Sequence, residues 1–147
     1  MNNRSEIYVD GNWISSSGSE SIDVINPSTE EVIGSTPAGT KEDVDLAIKA
    51  AKEAFPEWAA MPLEERLSYI EGLAAKLGEK SAEIGELISQ EVGMPGKMSM
   101  MIQAGLPAST TASVSGTARD FPFEENIGRS LVTREPVGVV GCITPWN

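Results

Sequence analysis

Histidine is absent from these 147 residues, and cysteine occurs only once, at Cys142. The chain therefore lacks the side chain that most often serves as a general base and as a metal ligand. A single cysteine cannot form a disulfide bond within the chain, which fits a reducing compartment. Chemistry that needs a histidine is thereby excluded.

Basic residues and long apolar runs are also scarce. Eleven Lys and Arg stand against 22 Asp and Glu, so the net charge is −11. Without a basic cluster to neutralise phosphates, we expect neither nucleic acid nor an anionic membrane as a partner. No apolar run is long enough to span a bilayer, and the first residues lack an apolar signal core. We therefore expect a cytoplasmic protein with one modest core.

The first quarter of the chain predicts short strands. Asp10-Gly11 separates two apolar stretches, residues 7–9 and 12–14, and is a strong hairpin signal because glycine tolerates a positive φ. Asn26-Pro27-Ser28-Thr29 predicts a second turn, between strands at residues 22–25 and 31–33.

The next zone predicts three helices that could bury their apolar faces against the strands. Thr40 and Asp43 have the spacing of a capping box at the start of the first helix, which we expect Pro56 to close. Pro62 suits the first turn of the second helix. Ser81 could cap the third helix, and Gly93 could end it.

Two further zones complete the chain. Residues 97–118 predict a helix with a face of small residues, which Pro107 would kink or divide. After a polar loop, residues 130–135 alternate like a half-exposed strand without an obvious partner. Val139–Ile143 is apolar throughout, like a strand buried on both faces of a parallel sheet. If the chain exists alone, the run from Val137 to Trp146 must pair with another copy, add to a sheet edge or stay disordered.

Five segments match one family in the family's own order, and together they are specific. They are residues 24–33 (VINPSTEEVI), residues 43–58 from Asp43 to Trp58, Arg66 with its leucines, residues 91–95 (EVGMP), and residues 134–147, which contain PVGVV and end in ITPWN. The chain resembles the N-terminal part of the NAD(P)-dependent aldehyde dehydrogenase superfamily.

This resemblance implies an α/β fold that is incomplete as a domain. Residues 1–120 would form the N-terminal strands and helical cluster of the cofactor-binding domain. Residues 121–136 would form a strand of the oligomerisation ribbon, which implies a homo-oligomer, either a dimer or a tetramer. Residues 137–147 would form the first strand of the dinucleotide-binding sheet.

The resemblance also implies a reaction. Members oxidise an aldehyde to a carboxylic acid with NAD or NADP, through a thiohemiacetal and a thioester on a cysteine. Asn147 matches the asparagine of the oxyanion hole, whose amide stabilises the charge that develops on the carbonyl oxygen. Ile143, Thr144, Pro145 and Trp146 match residues that line the cofactor cleft. The alternative for Pro145 and Trp146 is packing at a turn, and the alternative for Asn147 is a polar residue that ends a strand or a frayed terminus.

Other functional residues of the family have no counterpart here. The nucleophilic cysteine, the general-base glutamate and the glycine-rich cofactor loop would follow Asn147. Cys142 does not match the nucleophile, and we expect it to be a small buried apolar side chain. We therefore expect a truncated product or coding fragment that alone is inactive and binds NAD(P) weakly. The alternative is a non-catalytic module that pairs with a full-length relative through exposed strands.

Two weaker implications concern binding. Many members hold a structural cation near the positions of Glu91 and the backbone of Val24 and Ile25; the alternative for Glu91 is a capping or solvated carboxylate. Residues 98–106 match the border of the substrate tunnel, although for Met98, Met100 and Met101 we favour the alternative of an ordinary core.

Overall fold

A computed structural model describes residues 2–144 of the chain. Its first part contains five short strands: β1 (Asn2–Asn3), β2 (Glu6–Val9), β3 (Asn12–Ser15), β4 (Ser21–Ile25) and β5 (Val32–Pro37). Strands β2 and β3 form the predicted hairpin, and Asp10 and Gly11 both adopt positive φ, 51° and 74°. The Asp10-Gly11 hairpin is thus confirmed.

A second, three-stranded sheet has the order β1-β5-β4. Strands β4 and β5 are antiparallel, whereas β1 pairs with β5 in parallel. The turn between β4 and β5 is the one predicted at residues 26–29: the Glu30 amide donates to the Asn26 carbonyl across 2.8 Å, and the Ser28 amide donates to Asn26 Oδ1 across 2.9 Å.

The first helix, α1 (Lys41–Ala60), begins at the predicted capping box. The Asp43 amide donates to the Thr40 hydroxyl, and the Thr40 amide donates to the Asp43 carboxylate. Pro56 does not close this helix, which continues for four residues beyond it. Proline removes the hydrogen bond to the Lys52 carbonyl near the end of the helix, and the turn that follows contains Trp58, whose ring packs 6.0 Å from that of Tyr69.

Helix α2 (Leu63–Glu79) follows Pro62 directly, and Lys80 alone separates it from α3 (Ser81–Val92). Ser81 is therefore the first residue of α3, and no side chain caps the helix N-terminus. The predicted serine cap is wrong, because a connection of one residue leaves no separate position for Ser81 before the helix. Gly93 ends α3 with a left-handed φ of 76°, as predicted.

The predicted helix at residues 97–118 exists, but it changes type along its length. A short α-turn, α4 (Gly96–Met98), leads into a π-helical segment (Ser99–Ala104), and α5 (Gly105–Asp120) follows. Pro107 lies in the first turn of α5, where its missing N–H is best tolerated. The helix type therefore changes just before the proline.

The last described part differs most from the prediction. Residues 124–127, expected to be loop, form β6 (Glu124–Ile127), which supplies the missing partner for β7 (Ser130–Thr133). Residues 139–143, expected to be a buried strand, belong to no strand in the described chain, and Val137 and Ile143 are 93% and 99% exposed. A parallel strand needs neighbours on both sides, and residues 2–144 supply none for this stretch.

The core is small. Its buried apolar residues are Leu67 and Ala74 on α2 and Ala104 in the π-helical segment. Helix α2 packs on α5, and α3 packs on the π-helical segment. The expectation that the strands and helices bury one another is wrong, because large apolar side chains of both remain exposed, among them Tyr8, Val44, Leu46 and Leu73. Within residues 2–144, no helix is both long and apolar enough to cross a membrane.

Candidate functional site

One cleft, of about 730 Å³, lies between the three-stranded sheet and α3. Its lining includes Val24 from β4, Glu91 from α3, and Arg4. Helix α3 presents further polar groups to the same space, since residues three and four positions apart share a helix face. These are Glu83, Glu86 and Gln90.

This cleft brings together two of the three residues predicted to hold a cation. Glu91 and Val24 both line it, whereas Ile25 does not and is exposed. A carboxylate and backbone carbonyls are oxygen ligands of the kind hard cations take. However, Arg4 brings a positive charge to the cleft, and residues 2–144 contain no group of three or more acidic, histidine or cysteine side chains placed to hold a metal.

A second cleft, of about 620 Å³, lies where the β6–β7 hairpin meets the helices. Phe121 and Phe123 pack edge to face with ring centroids 5.0 Å apart, and the Arg134 guanidinium lies 5.4 Å from the Phe121 ring centroid. Arg134 also donates to the Pro122 carbonyl and to the Glu125 carboxylate. These contacts anchor the hairpin and line the cleft with aromatic and cationic groups.

The residues predicted for catalysis and cofactor binding are not gathered into a cleft. Ile143 and Thr144 are exposed and line neither of the two clefts above. Pro145, Trp146 and Asn147 lie outside the described residues.

Cys142 is exposed, which contradicts its expected burial. The expectation depended on a covered strand at residues 139–143, and no layer covers that stretch in residues 2–144.

Asp43 does more than cap α1. Its carboxylate accepts hydrogen bonds from the Ser16 hydroxyl at 2.6 Å and from the Ser17 amide at 2.9 Å, so it ties the helix to the loop after β3. The Ser16 hydroxyl, followed by the Ser17 and Thr40 amides, holds the pKa of Asp43 well below its usual range. The spacing of Thr40 and Asp43 in the sequence predicts the contact between them. No local pattern predicts the contact of Asp43 with the loop after β3.

A second tie joins α5 to α2. The Arg119 guanidinium binds Glu64 through two nitrogens, at 3.1 and 2.9 Å, and reaches Glu71 at 3.1 Å. The hydrogen bond from Arg119 lowers the pKa of the Glu64 carboxyl, and the two carboxylates raise the pKa of Arg119. These residues lie far apart in the sequence, so no local sequence pattern predicts their contact.

The π-helical segment approaches α3 closely. Ser99 is completely buried, and its hydroxyl donates to the Gly85 carbonyl across 2.6 Å. A Cβ added to Gly85 would lie 2.6 Å from Met100 Cγ and 2.9 Å from Met100 Cα. Only glycine allows this approach, so α3 and the π-helical segment are locked together.

Comparison with known proteins decides the family. The model of the aldehyde dehydrogenase family matches residues 13–147. The chain belongs to this family. The aldehyde dehydrogenase resemblance drawn from the five segments is thus confirmed, as is the incomplete α/β fold.

Individual relatives agree. A 3-succinoylsemialdehyde-pyridine dehydrogenase from a Pseudomonas species is 38% identical over an alignment of 153 positions. The alignment covers all of this chain and 31% of that enzyme. The chain thus spans about a third of the length of the curated relatives it matches, consistent with the N-terminal part predicted from the sequence.

Solved structures show the same relationship. An aldehyde dehydrogenase C mutant from Pseudomonas syringae, in complex with NAD+ and octanal, matches with a TM-score of 0.87 at 30% identity; the match covers 90% of this chain and 27% of that one. A Mycobacterium tuberculosis aldehyde dehydrogenase with NAD+ matches with a TM-score of 0.85 at 27% identity, over 92% of this chain and 29% of that one.

Proposed function

We propose that this chain forms part of an enzyme that oxidises an aldehyde to a carboxylic acid with NAD+ or NADP+, through a covalent cysteine thiohemiacetal and thioester. The observation that carries the proposal is the family match over residues 13–147. The similarity to a structure with bound NAD+ and octanal supports both the cofactor and the substrate class.

Asn147 contributes an amide N–H to the oxyanion hole of this enzyme. Thiolate attack on an aldehyde moves negative charge onto the carbonyl oxygen, and a fixed N–H at that oxygen stabilises the charge where it forms. Ile143, Thr144, Pro145 and Trp146 border the cofactor cleft through backbone and apolar contact. The cofactor, when bound, accepts hydride from the substrate.

The nucleophile and the general base belong to another part of the intact enzyme. Cys142 is not the nucleophile, because it stands five residues before Asn147 in the segment that matches the family's first sheet strand. The full exposure of Ile143 supports the inference that this chain alone neither binds NAD(P) tightly nor turns over aldehydes.

Three structural roles accompany this function. Glu91 and the backbone of Val24 and Ile25 are the proposed contacts of a structural cation. The β6–β7 hairpin, within residues 121–136, contributes to an oligomerisation ribbon of a dimer or tetramer. Residues 1–120 belong to the cofactor-binding domain, and residues 137–147 begin its dinucleotide-binding sheet.

A chimaeric enzyme tests the function. This chain replaces the matched 31% of the Pseudomonas relative, and NADH formation from that enzyme's aldehyde is measured. We expect NAD-dependent turnover by the chimaera and none by the isolated chain. A folded chimaera that binds NAD+ but has no dehydrogenase activity would contradict the proposal, as would turnover by the isolated chain.

One observation favours the second candidate, a non-catalytic module. Val137, Val140 and Ile143 are exposed in a stretch without strand pairing, so this stretch could add to a sheet edge of a full-length relative. Light scattering of the chain with and without such a relative separates the two functions. A stable complex with an intact relative favours the module, and its absence favours the first proposal.

A further inference from the structure

The second cleft, where the β6–β7 hairpin meets the helices, has the size and the walls of a small-molecule site. Its volume of about 620 Å³ falls within the range of roughly 300–1,000 Å³ that is typical of such sites. Most of the residues that line it are apolar, among them Leu63, Phe121, Phe123 and Pro136. The two phenylalanine rings are still 45% and 37% exposed, so an apolar ligand in the cleft would remove ring surface from water.

Arg66 brings a positive charge to this cleft, and no carboxylate pairs with it within residues 2–144. Six of the eleven Lys and Arg side chains form ion pairs in the described chain. Of the other five, Arg66 alone is half-buried, and the exposed ones are Arg4, Lys52, Lys97 and Arg129. Partial burial strengthens the attraction between a guanidinium and an anion, because less water screens the two charges.

Two other charged residues, Arg134 and Glu135, also line the cleft. The Arg134 guanidinium already binds the Glu125 carboxylate and lies over the Phe121 ring, so its charge is largely offset and it holds the aromatic wall in place. Glu135 is exposed, and solvent screens its repulsion of an anion. The cleft thus offers one guanidinium beside apolar surface, which suits a ligand with a single negative charge and an apolar body.

We propose that this cleft binds a small monocarboxylate with an aromatic body, and that Arg66 holds the carboxylate. A planar guanidinium presents parallel N–H donors that match the two oxygens of a carboxylate. The aromatic body packs against Phe121 and Phe123, whose own edge-to-face contact leaves ring surface available. Binding requires none of residues 143–147, so the inference does not rest on the proposed function.

Titration of the isotope-labelled full chain with hydrocinnamate, followed by NMR, tests the proposal. Hydrocinnamate carries a phenyl ring on a short chain that ends in a carboxylate, and hydrocinnamamide is the uncharged control of the same shape. The amide signals of Arg66, Phe121 and Phe123 should shift with hydrocinnamate, and hydrocinnamamide should bind about tenfold more weakly. Equal affinity for the two compounds would overturn the proposal. Inorganic phosphate that binds as tightly as hydrocinnamate would also overturn it, because it would show a site for any anion.

Three substitutions separate recognition of charge from an effect on the fold. Arg66→Gln should weaken hydrocinnamate binding about tenfold and leave hydrocinnamamide binding unchanged. Glu135→Gln removes a negative charge from the cleft and should tighten hydrocinnamate binding about twofold. Arg129→Gln, at an exposed position outside the cleft, is the matched control and should alter neither affinity. Equal weakening of both ligands by Arg66→Gln would show a structural role only and would contradict the proposal.

Arg66→Lys keeps the result decisive if Arg66→Gln does not fold. Lysine retains the charge without the planar pair of donors, so hydrocinnamate should bind this variant more weakly than the unsubstituted chain. Unchanged affinity in both Arg66→Lys and Glu135→Gln would overturn the proposal.

The chimaeric enzyme tests whether the cleft stays open beside the rest of a dehydrogenase. Hydrocinnamate should bind the chimaera, and Arg66→Gln should weaken that binding as it does in the chain alone. A chimaera whose hydrocinnamate binding does not respond to Arg66→Gln overturns the proposal, because the rest of the enzyme then fills the cleft. A folded, inactive chimaera that still binds hydrocinnamate through Arg66 supports the proposal and contradicts the proposed function instead.

Discussion

The Ser99 hydroxyl donates a hydrogen bond to the Gly85 carbonyl across 2.6 Å and so joins the π-helical segment to α3. Ser99 is the one side chain of its size or larger that is completely buried in the described chain. The hydrogen bond and the absent Cβ at Gly85 act together, because the hydroxyl can reach the carbonyl only if the two backbones approach closely.

Ser99→Ala should lower the free energy of unfolding by about 1–3 kcal/mol, because the carbonyl of Gly85 loses a buried donor. Ser115 provides the matched control: it is also buried, but its hydroxyl has no hydrogen-bond partner within residues 2–144. Ser115→Ala should therefore be neutral or stabilising. Urea denaturation measures both, and equal losses for the two variants would contradict the assigned roles.

Gly85→Ala should destabilise the chain by roughly 1–3 kcal/mol, because the new methyl group would overlap Met100. Gly72 lies within α2, and a Cβ there would meet nothing within 4 Å. Gly72→Ala should thus stabilise the chain by about 0.4–1 kcal/mol through the lower entropy of the unfolded state. If both substitutions stabilise, the close approach of α3 to the π-helical segment is wrong.

Asp43 should make stability depend on pH in the acid range. Its pKa is lowered by the Ser16, Ser17 and Thr40 donors, so the unfolded chain binds a proton more readily than the folded chain. Its contribution is therefore present above the unfolded pKa, near 4, and is lost as the pH falls toward the lowered folded pKa.

Asp43→Asn should remove this part of the pH dependence, which thermal melts from about pH 5 down to about pH 2 would measure. Asp45→Asn is the control, because Asp45 is an exposed residue of the same helix that pairs only with Lys41 among the described residues. A profile for Asp43→Asn that matches the unsubstituted chain would refute the carboxylate's role.

Arg119→Ala should lower the midpoint of urea denaturation only slightly, since its pairs with Glu64 and Glu71 are largely exposed. The loss should shrink as salt rises, because exposed charge pairs are screened. Denaturation at low and high salt checks this. A larger, salt-independent loss would mean that Arg119 acts mainly through packing.

Local signals predicted the local structure. Asp10-Gly11 predicted its hairpin because the turn depends only on two residues, and Thr40 with Asp43 predicted the start of α1 for the same reason. Gly93 predicted the end of α3. The signals failed where the outcome depends on distant contacts: Pro56 is tolerated within α1, and residues 124–127 form a strand only because Ser130–Thr133 pairs with them.

The candidate site was less accessible to sequence reasoning alone. The apolar run at residues 139–143 predicts a buried strand, yet a strand is buried by its neighbours, and residues 2–144 provide none. Glu91 and Val24 were expected to lie near each other, and both line one cleft, but Ile25 lies outside it. The family was recognisable because its motifs are read in order along the chain and need no tertiary contacts.

The central claim is that Asn147 belongs to the oxyanion hole of an aldehyde dehydrogenase. The most direct test is the turnover number of the chimaeric enzyme with Asn147→Ala, beside Asn12→Ala as a control in the exposed β2–β3 hairpin. Loss of the donor should lower kcat about 100- to 1000-fold at unchanged fold, whereas Asn12→Ala should leave kcat unaltered. A kcat for Asn147→Ala equal to that of the unsubstituted chimaera would contradict the account.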